Sequence, residues 1–284
     1  MTFKLRAWLL FLIFLTGYFS MSLELVVMRQ LSFYVGSSAV ITSIIIATFL
    51  GFMSIGYFLG SAKKLPKTNI QNVLFISFVS IAIMSILAAS FTLITQYFTL
   101  FYNWKIYSSI TQTFIYSFVF LSIAPFFFGY NTALLSRYLH KYNTNYTGKI
   151  MAWDTIGSVM GSLATTLILM PFIGVNYTIL LITVLSLIGA LIIKPKWYTL
   201  IIAVIILIPG YLINSDSYLK SKHNVIVNNA NSTIAVTDFG NERVLFINGL
   251  PMSVYNKKTG TTAEYVNYIN DNFVYNMPND KRRD

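Results

Sequence analysis

The sequence predicts an α-helical integral membrane protein of about seven transmembrane helices followed by a small C-terminal α+β segment. Three observations predict it. The 284 residues are 56% hydrophobic and 10% charged, with a mean hydropathy of +0.65, whereas soluble domains carry about 25% charged residues. Apolar runs near or above the roughly 18-residue transmembrane threshold recur up to Ile213 and then stop. The charge changes at the same place: 12 Lys/Arg face 2 acids up to Ile213, and 8 face 7 beyond it. The chain therefore divides into a polytopic membrane domain, 1–213, and a polar tail, 214–284. The net charge of +11 suits loops beside anionic lipid headgroups and calls for the lipid bilayer, not nucleic acid, as partner. Cysteine is absent, which excludes disulfides, thiolate catalysis and cysteine metal sites. His140 and His223 lie far apart in the sequence, so no metal site is predicted.

Lys4 and Arg6 precede a first run from Ala7 to about Met28. It is longer than the roughly 7–15-residue core of a signal peptide and reads as a retained span. Gly17, Ser20 and Glu24 share one of its faces. Arg29, ~140° around from Glu24, is placed to snorkel to a headgroup. The second span, about Ser37–Ser61, carries Ser43, Ala47 and Gly51 at four-residue spacing, then Gly56-x-x-x-Gly60. These read as a helix-packing face. Lys63, Lys64 and Lys67 follow around Pro66, and the third span covers about Ile70–Ile94. A polar-aromatic stretch, Thr95–Ser109, precedes the fourth span, about Ile110–Leu135. Pro125 predicts a kink there, and Gly129-Tyr130-Asn131 could line a cavity.

Arg137, Lys141 and Lys149 make the next loop basic. The fifth span, about Ile150–Phe172, has Asp154, Gly157 and Gly161 on one face, again a packing motif. The sixth and seventh spans cover about Tyr177–Ile193 and Trp197–Ile213, separated by Lys194-Pro195-Lys196. With the N-terminus in the cytoplasm, ten basic residues fall on the inner side and only Arg29 and Lys105 on the outer side. That bias sets the orientation, and an odd number of spans then places the tail outside. In the tail, Thr233–Asp238 and Arg243–Ile247 read as strands around Gly240-Asn241, with Val225–Val227 a further candidate. Thr261 and Thr262 are candidate caps of a helix through about Tyr275, ended by Pro278.

Glu24 and Asp154 are the only acids before residue 214, each inside an apolar span. An intramembrane carboxylate costs about 2.5–3.5 kcal/mol on insertion scales and marks a candidate functional site. Pairing with a nearby Arg or Lys is the competing reading. For Asp154 the expected partner is Arg137, as a structural ion pair. Glu24 has no equivalent partner and is the substrate-binding candidate, with Asn131 beside the expected kink.

The order of several short stretches resembles the membrane-bound spermidine synthase-like family, in which a multi-span region precedes an aminopropyltransferase domain. They are Glu24–Arg29, Gly51-Phe-Met-Ser-Ile-Gly56 with Gly60, Gly148–Gly161, Leu169–Gly174, Ser232–Val236 and Leu245–Gly249. The resemblance implies that the tail corresponds to the family's small N-terminal β domain. It also implies a substrate-binding role for Tyr265, the one residue kept where the family has Tyr-His-Glu. Asn231-Ser232 stands where the family has Tyr-Gln, and neither the Gly-rich nucleotide loop nor the catalytic Asp is present. The chain is therefore expected to lack aminopropyltransferase activity by itself. An S-adenosyl-type cofactor is implied only for a missing domain, and the implied partners are a separately encoded catalytic domain or a second copy of the chain. Two other expectations stand beside this one: a transporter or ligand-binding membrane protein for a small cation such as a polyamine, and a structural or assembly protein whose tail docks a partner.

Overall fold

The structure, a computed structural model, describes residues 3–62, 70–140 and 147–269. Lys63, Lys64, Pro66, Lys67, Lys141 and the expected continuation of the last helix to Tyr275 and Pro278 lie outside the described residues. The molecule is a helix bundle with a small antiparallel sheet at one end.

Helix α1, Phe3–Val35, runs through the middle of the bundle and continues seven residues past the expected end. Leu12, Ile13, Phe19, Leu23, Val26, Val27 and Leu31 are all buried, and this all-round burial is what a central helix requires. Helix α2, Ala39–Gly60, starts at Ser38, whose hydroxyl accepts from the Ile41 amide. Helix α3, Ile70–Ala89, stops five residues before the expected Ile94. Ser90 then turns the chain into α4, Phe91–Asn103, which takes the end of the expected third span and much of the polar-aromatic stretch after it. Phe91, Ile94, Phe98 and Phe101 form the buried stripe of α4. That spacing is helical, but the frequent Thr and Tyr mask it.

Helices α5, Ser109–Phe120, and α6, Ile123–His140, meet at a 46° bend. The break lies at Leu121–Ser122 and not at Pro125. Pro125 sits in the first turn of α6, where the missing N–H would have had no helical partner anyway. Helix α7, Thr147–Leu163, passes through a π-helical turn, Ala164–Leu169, into α8, Met170–Ile193. Gly174, at φ 82°, breaks α8 in a backbone region that favours glycine. The chain reverses there. Before it, Gly157, Gly161 and Thr165 meet Phe14, Tyr18 and Ser22 of α1 in ascending order. After it, Asn176 meets Gln30 and Ile193 meets Trp8 and Leu9. Helix α9, Trp197–Asn214, follows on the bundle surface, with only Thr199, Gly210 and Asn214 buried.

Among the described residues, five helical stretches are long and apolar enough to cross a membrane, or six if the bent α5–α6 pair is counted as one. The outside of the bundle is apolar as well: Phe58, Ile76, Phe114, Leu167, Phe172, Trp197 and Ile205 are all exposed.

The tail begins with helix α10, Asp216–His223, which Ser215 caps and whose sequence gives no apolar periodicity. Strands β1, Val225–Asn228; β2, Thr233–Phe239; β3, Glu242–Ile247; and β4, Leu250–Asn256, form a meander in chain order. Strand β4, which carries Pro251, is not among the strands expected from the sequence. It is an edge strand, where proline is tolerated. A short helix, α11, Glu264–Ile269, follows Ala263, whose carbonyl accepts from Val266 and Asn267. Ala263, not Thr261 or Thr262, occupies the cap.

Two glycine rows set the helix spacing. A Cβ on Gly157 or Gly161 would overlap the carbonyl oxygens of Phe14 or Tyr18, and one on Gly17 that of Asp154. Helices α1 and α7 are thus in backbone contact. Gly56, Gly60 and Gly129 do the same for α2 against α6. Gly51 does not belong to this set. It is exposed, and a Cβ there would meet nothing within 4 Å. It lies five residues before Gly56, ~140° around the helix, and so faces away from α6.

Candidate functional site

The sheet sits at the C-terminal end of α1, opposite the N-terminus, and a polar joint holds it there. Arg29 donates through Nε to the Asn229 carbonyl at 2.9 Å, through Nη1 to Ser32 at 3.0 Å, and through Nη2 to Thr233 Oγ1 at 3.0 Å and Asn248 Oδ1 at 3.4 Å. The guanidinium thus reaches three parts of the sheet and does not snorkel outward. Its planar fork of donors suits several fixed acceptors at once. Next to it, Gln30 donates to Asn176 Oδ1 at 3.3 Å, and Asn228 Nδ2 donates to Gln30 Oε1 and Asn176 Oδ1, both at 3.1 Å. Helices α1 and α8 and strand β1 are tied by three amides. An apolar patch of Phe91, Leu219, Val225 and Ala235, with Phe33, Tyr34 and Phe246 against it, completes the joint. His223 packs on Phe91 at 5.8 Å between ring centroids. Burial and the Lys222 ammonium beside it lower the His223 pKa. On the hairpin, Arg243 and Lys257 both bond Asp238 at 2.8 Å and hold its carboxyl well below the usual carboxylate range.

The second constellation lies at the middle of α1. Asp154, on α7, lines a pocket with Thr16, Gly17, Ser20 and Met21 of α1, Met53 and Tyr57 of α2, Phe128 and Thr132 of α6, and Ser158. Thr132 Oγ1 donates to Asp154 Oδ1 at 3.4 Å, and the Tyr57 hydroxyl faces the same carboxylate. The expected Asp154–Arg137 ion pair is not formed: the ion pairs of the described residues are Asp238–Arg243 and Asp238–Lys257. Asp154 is level with Thr132, whereas Arg137 comes five residues later on α6, about 7.5 Å further along. There Arg137 donates to the Gly60 carbonyl at 3.5 Å. Asp154 therefore belongs to a pocket of oxygens, not to an ion pair.

The remaining sequence candidates are not brought together. Glu24 is 6% exposed, and its Oε2 has no hydrogen-bond partner among the described residues. It stands one turn beyond Ser20 on the face that carries Thr16 and Ser20, and it does not line the Asp154 pocket. Asn131 is fully buried, with both amide atoms unpartnered among the described residues. Tyr265 is half-exposed on α11, and its hydroxyl donates to the Met252 carbonyl of β4 at 2.5 Å. That contact fastens α11 to the sheet edge. Sequence reasoning did not single out Thr16, Tyr57 and Thr132, the neighbours of Asp154. Hydroxyls are common in apolar helices, and only the antiparallel fit of α1 to α6 brings Thr16 to Thr132. No protein-family model, curated protein or solved structure matches the chain.

Proposed function

We propose that the chain is a multi-pass membrane module that holds a β platform rigidly at the membrane surface for another protein domain. The bent α5–α6 pair supplies one pass. The 46-residue stretch Gly148–Ile193 would be about 69 Å long as a straight helix, more than twice the hydrocarbon thickness of about 30 Å. Its reversal at Gly174 makes it two passes, and the total is seven. The observation that carries the platform reading is the Arg29 joint. A loosely tethered tail would not need one guanidinium bonded to three of its segments. The outer strand β4 leaves Leu250, Met252 and Tyr255 exposed, and an open sheet edge is a template for further pairing.

The resemblance suggests a spermidine synthase-like catalytic domain as the partner, since the meander and α11 stand where that family has its small β domain. A domain using an S-adenosyl-type cofactor needs the platform on the cytoplasmic side. Arg137, Lys149, Lys194 and Lys196 cluster with the N-terminal end of the bundle and favour that end for the cytoplasm, which puts the platform outside. A fluorescent reporter and an export-dependent enzyme reporter, each inserted at the 257–260 turn of the full chain, separate the two. A fluorescent platform supports the catalytic-domain partner. An exported one eliminates it and leaves an assembly protein of the cell membrane. For either partner, a photocrosslinker at Met252 is expected to give a discrete adduct in intact membranes; no adduct would refute the platform reading.

A further inference from the structure

Two clefts lie where the tail meets the bundle, and His223 forms part of the wall of both. The first is aromatic. Ala235, Thr237 and Phe239 alternate onto one face of β2, and Phe246 pairs with Ala235 from β3. This face and the last turn of α1, with Phe33 and Tyr34, enclose about 370 Å³, and Phe239 is left exposed. The second cleft, about 320 Å³, is polar and runs between α4 and α10. Thr92, Gln96, Thr99 and Asn103 share one face of α4, and Tyr218 and Lys222 meet them from α10. The hydroxyls of Thr92, Thr95 and Thr99 donate to the carbonyls of Ile213, Phe91 and Thr95 at 2.9, 2.8 and 2.8 Å. The groups left to donate are the Gln96 and Asn103 amides, the Tyr218 hydroxyl and the Lys222 ammonium. No carboxylate of the described residues lines either cleft, and Lys222 forms no ion pair among them.

We infer that the two clefts together bind one phospholipid, an acyl chain against the aromatic face and the phosphodiester against Lys222. The inference rests on the bundle's spanning a membrane, and not on any partner of the platform. Phe33 and Tyr34 end the apolar stretch Ala7–Val35, and Ile213, which Thr92 bonds, ends the stretch Trp197–Asn214. Both clefts therefore lie at the headgroup level of one leaflet. Each falls within the roughly 300–1,000 Å³ of ligand sites. An uncovered aromatic face gains from burial, and a donor-rich cleft with one cation and no carboxylate favours an anion whose oxygens only accept. Burial and the Lys222 ammonium lower the His223 pKa, so near neutral pH the imidazole adds no second charge and one monoanion matches the site. Free phosphate would fill only the polar cleft, and an uncharged lipid only the aromatic one. A phospholipid fills both, and the leaflet around the spans supplies it.

The test uses the full chain in phosphatidylcholine vesicles that carry a trace of phosphatidylglycerol with a diazirine at the end of one acyl chain. Irradiation is expected to attach the probe to the β2–β3 hairpin at Phe239 or Phe246, and also to exposed bundle residues such as Ile205, which any lipid meets. Lys222→Ala should lower hairpin labelling by roughly tenfold. Lys220→Ala makes the same change of charge, but Lys220 lines the opposite face of the sheet with Arg243, and labelling should stay at the parent level. Both lysines are exposed, so neither variant removes a buried contact. A diazirine diacylglycerol, which has no phosphate, should label Ile205 and spare the hairpin, and excess glycerol phosphate should not protect the hairpin from the phospholipid. Labelling of Ile205 without the hairpin would overturn the lipid site and leave the membrane-spanning bundle standing; labelling of neither would overturn both. The inference also fails if Lys222→Ala labels as the parent does, if the two lysine variants lose labelling equally, if diacylglycerol labels the hairpin as well as the phospholipid does, or if glycerol phosphate protects it.

Discussion

The C-terminal end and the middle of α1 meet their neighbours in opposite ways. At the C-terminal end, Arg29, Gln30, Asn176, Asn228, Thr233 and Asn248 bond one another, and none of their buried side-chain atoms is left without a partner. In the middle, Gly17, Gly157 and Gly161 bring the backbones of α1 and α7 into contact. A satisfied polar network fixes geometry through side chains, whereas glycine rows fix it through the backbones themselves.

The largest effect is expected from breaking the joint. Arg29→Ala leaves the Asn229 carbonyl, Thr233 and Asn248 without their charged donor. Hydrogen bonds to a charged group contribute about 1.5–3 kcal/mol, and three bonds that share one guanidinium are not additive, so a loss near the top of that range, about 3 kcal/mol, is expected for the platform. Hydrogen exchange of the β2 and β3 amides should quicken by roughly a hundredfold while the amides of α1 and α7 hold their rates. Equal acceleration in helices and strands would show that the joint is not a separate unit.

Along the α1–α7 contact, Gly157→Ala forces a methyl onto the Phe14 carbonyl and should cost about 1–3 kcal/mol. Gly51→Ala, with open space around it, should stay within about 0.5 kcal/mol of the parent. Thermal melts in one detergent compare the two. If Gly51→Ala proved the more damaging, α2 would have a partner outside the chain.

The smallest effect sharpens the joint. Because the folded pKa of His223 is depressed, its stabilising contribution is complete above the unfolded value of about 6.5 and is lost as pH falls through the folded value. Acidification from pH 7.5 toward 5 should therefore lower the protection of the α10 amides relative to their intrinsic exchange rates, and His223→Asn should abolish that dependence. An unchanged pH profile in His223→Asn would move the effect to another group.

Much of the bundle was legible in the sequence. Apolar run length marked nearly every long helix, and the Gly157-x-x-x-Gly161 and Gly56-x-x-x-Gly60 spacings marked the faces in backbone contact. Helix α4 and strand β4 were not legible. The stripe of α4 is diluted by Thr and Tyr, and Pro251 is compatible with a strand only at an edge. The candidate site was half legible. Asp154 stood out as one of two acids among the apolar spans, but its surroundings did not. Arg29 shows the same limit: five residues past Glu24 it reads as a headgroup anchor, because nothing local announces a sheet folding back 200 residues later.

The sequence by itself determined where the chain is apolar, where it is basic and which helix faces are small, because these are properties of composition and of the 3.6-residue period. Only the tertiary structure decided what each polar side chain meets. Partners such as Thr16 and Thr132, or Arg29 and Thr233, are separated by more than a hundred residues and are brought together by antiparallel packing that no local pattern encodes.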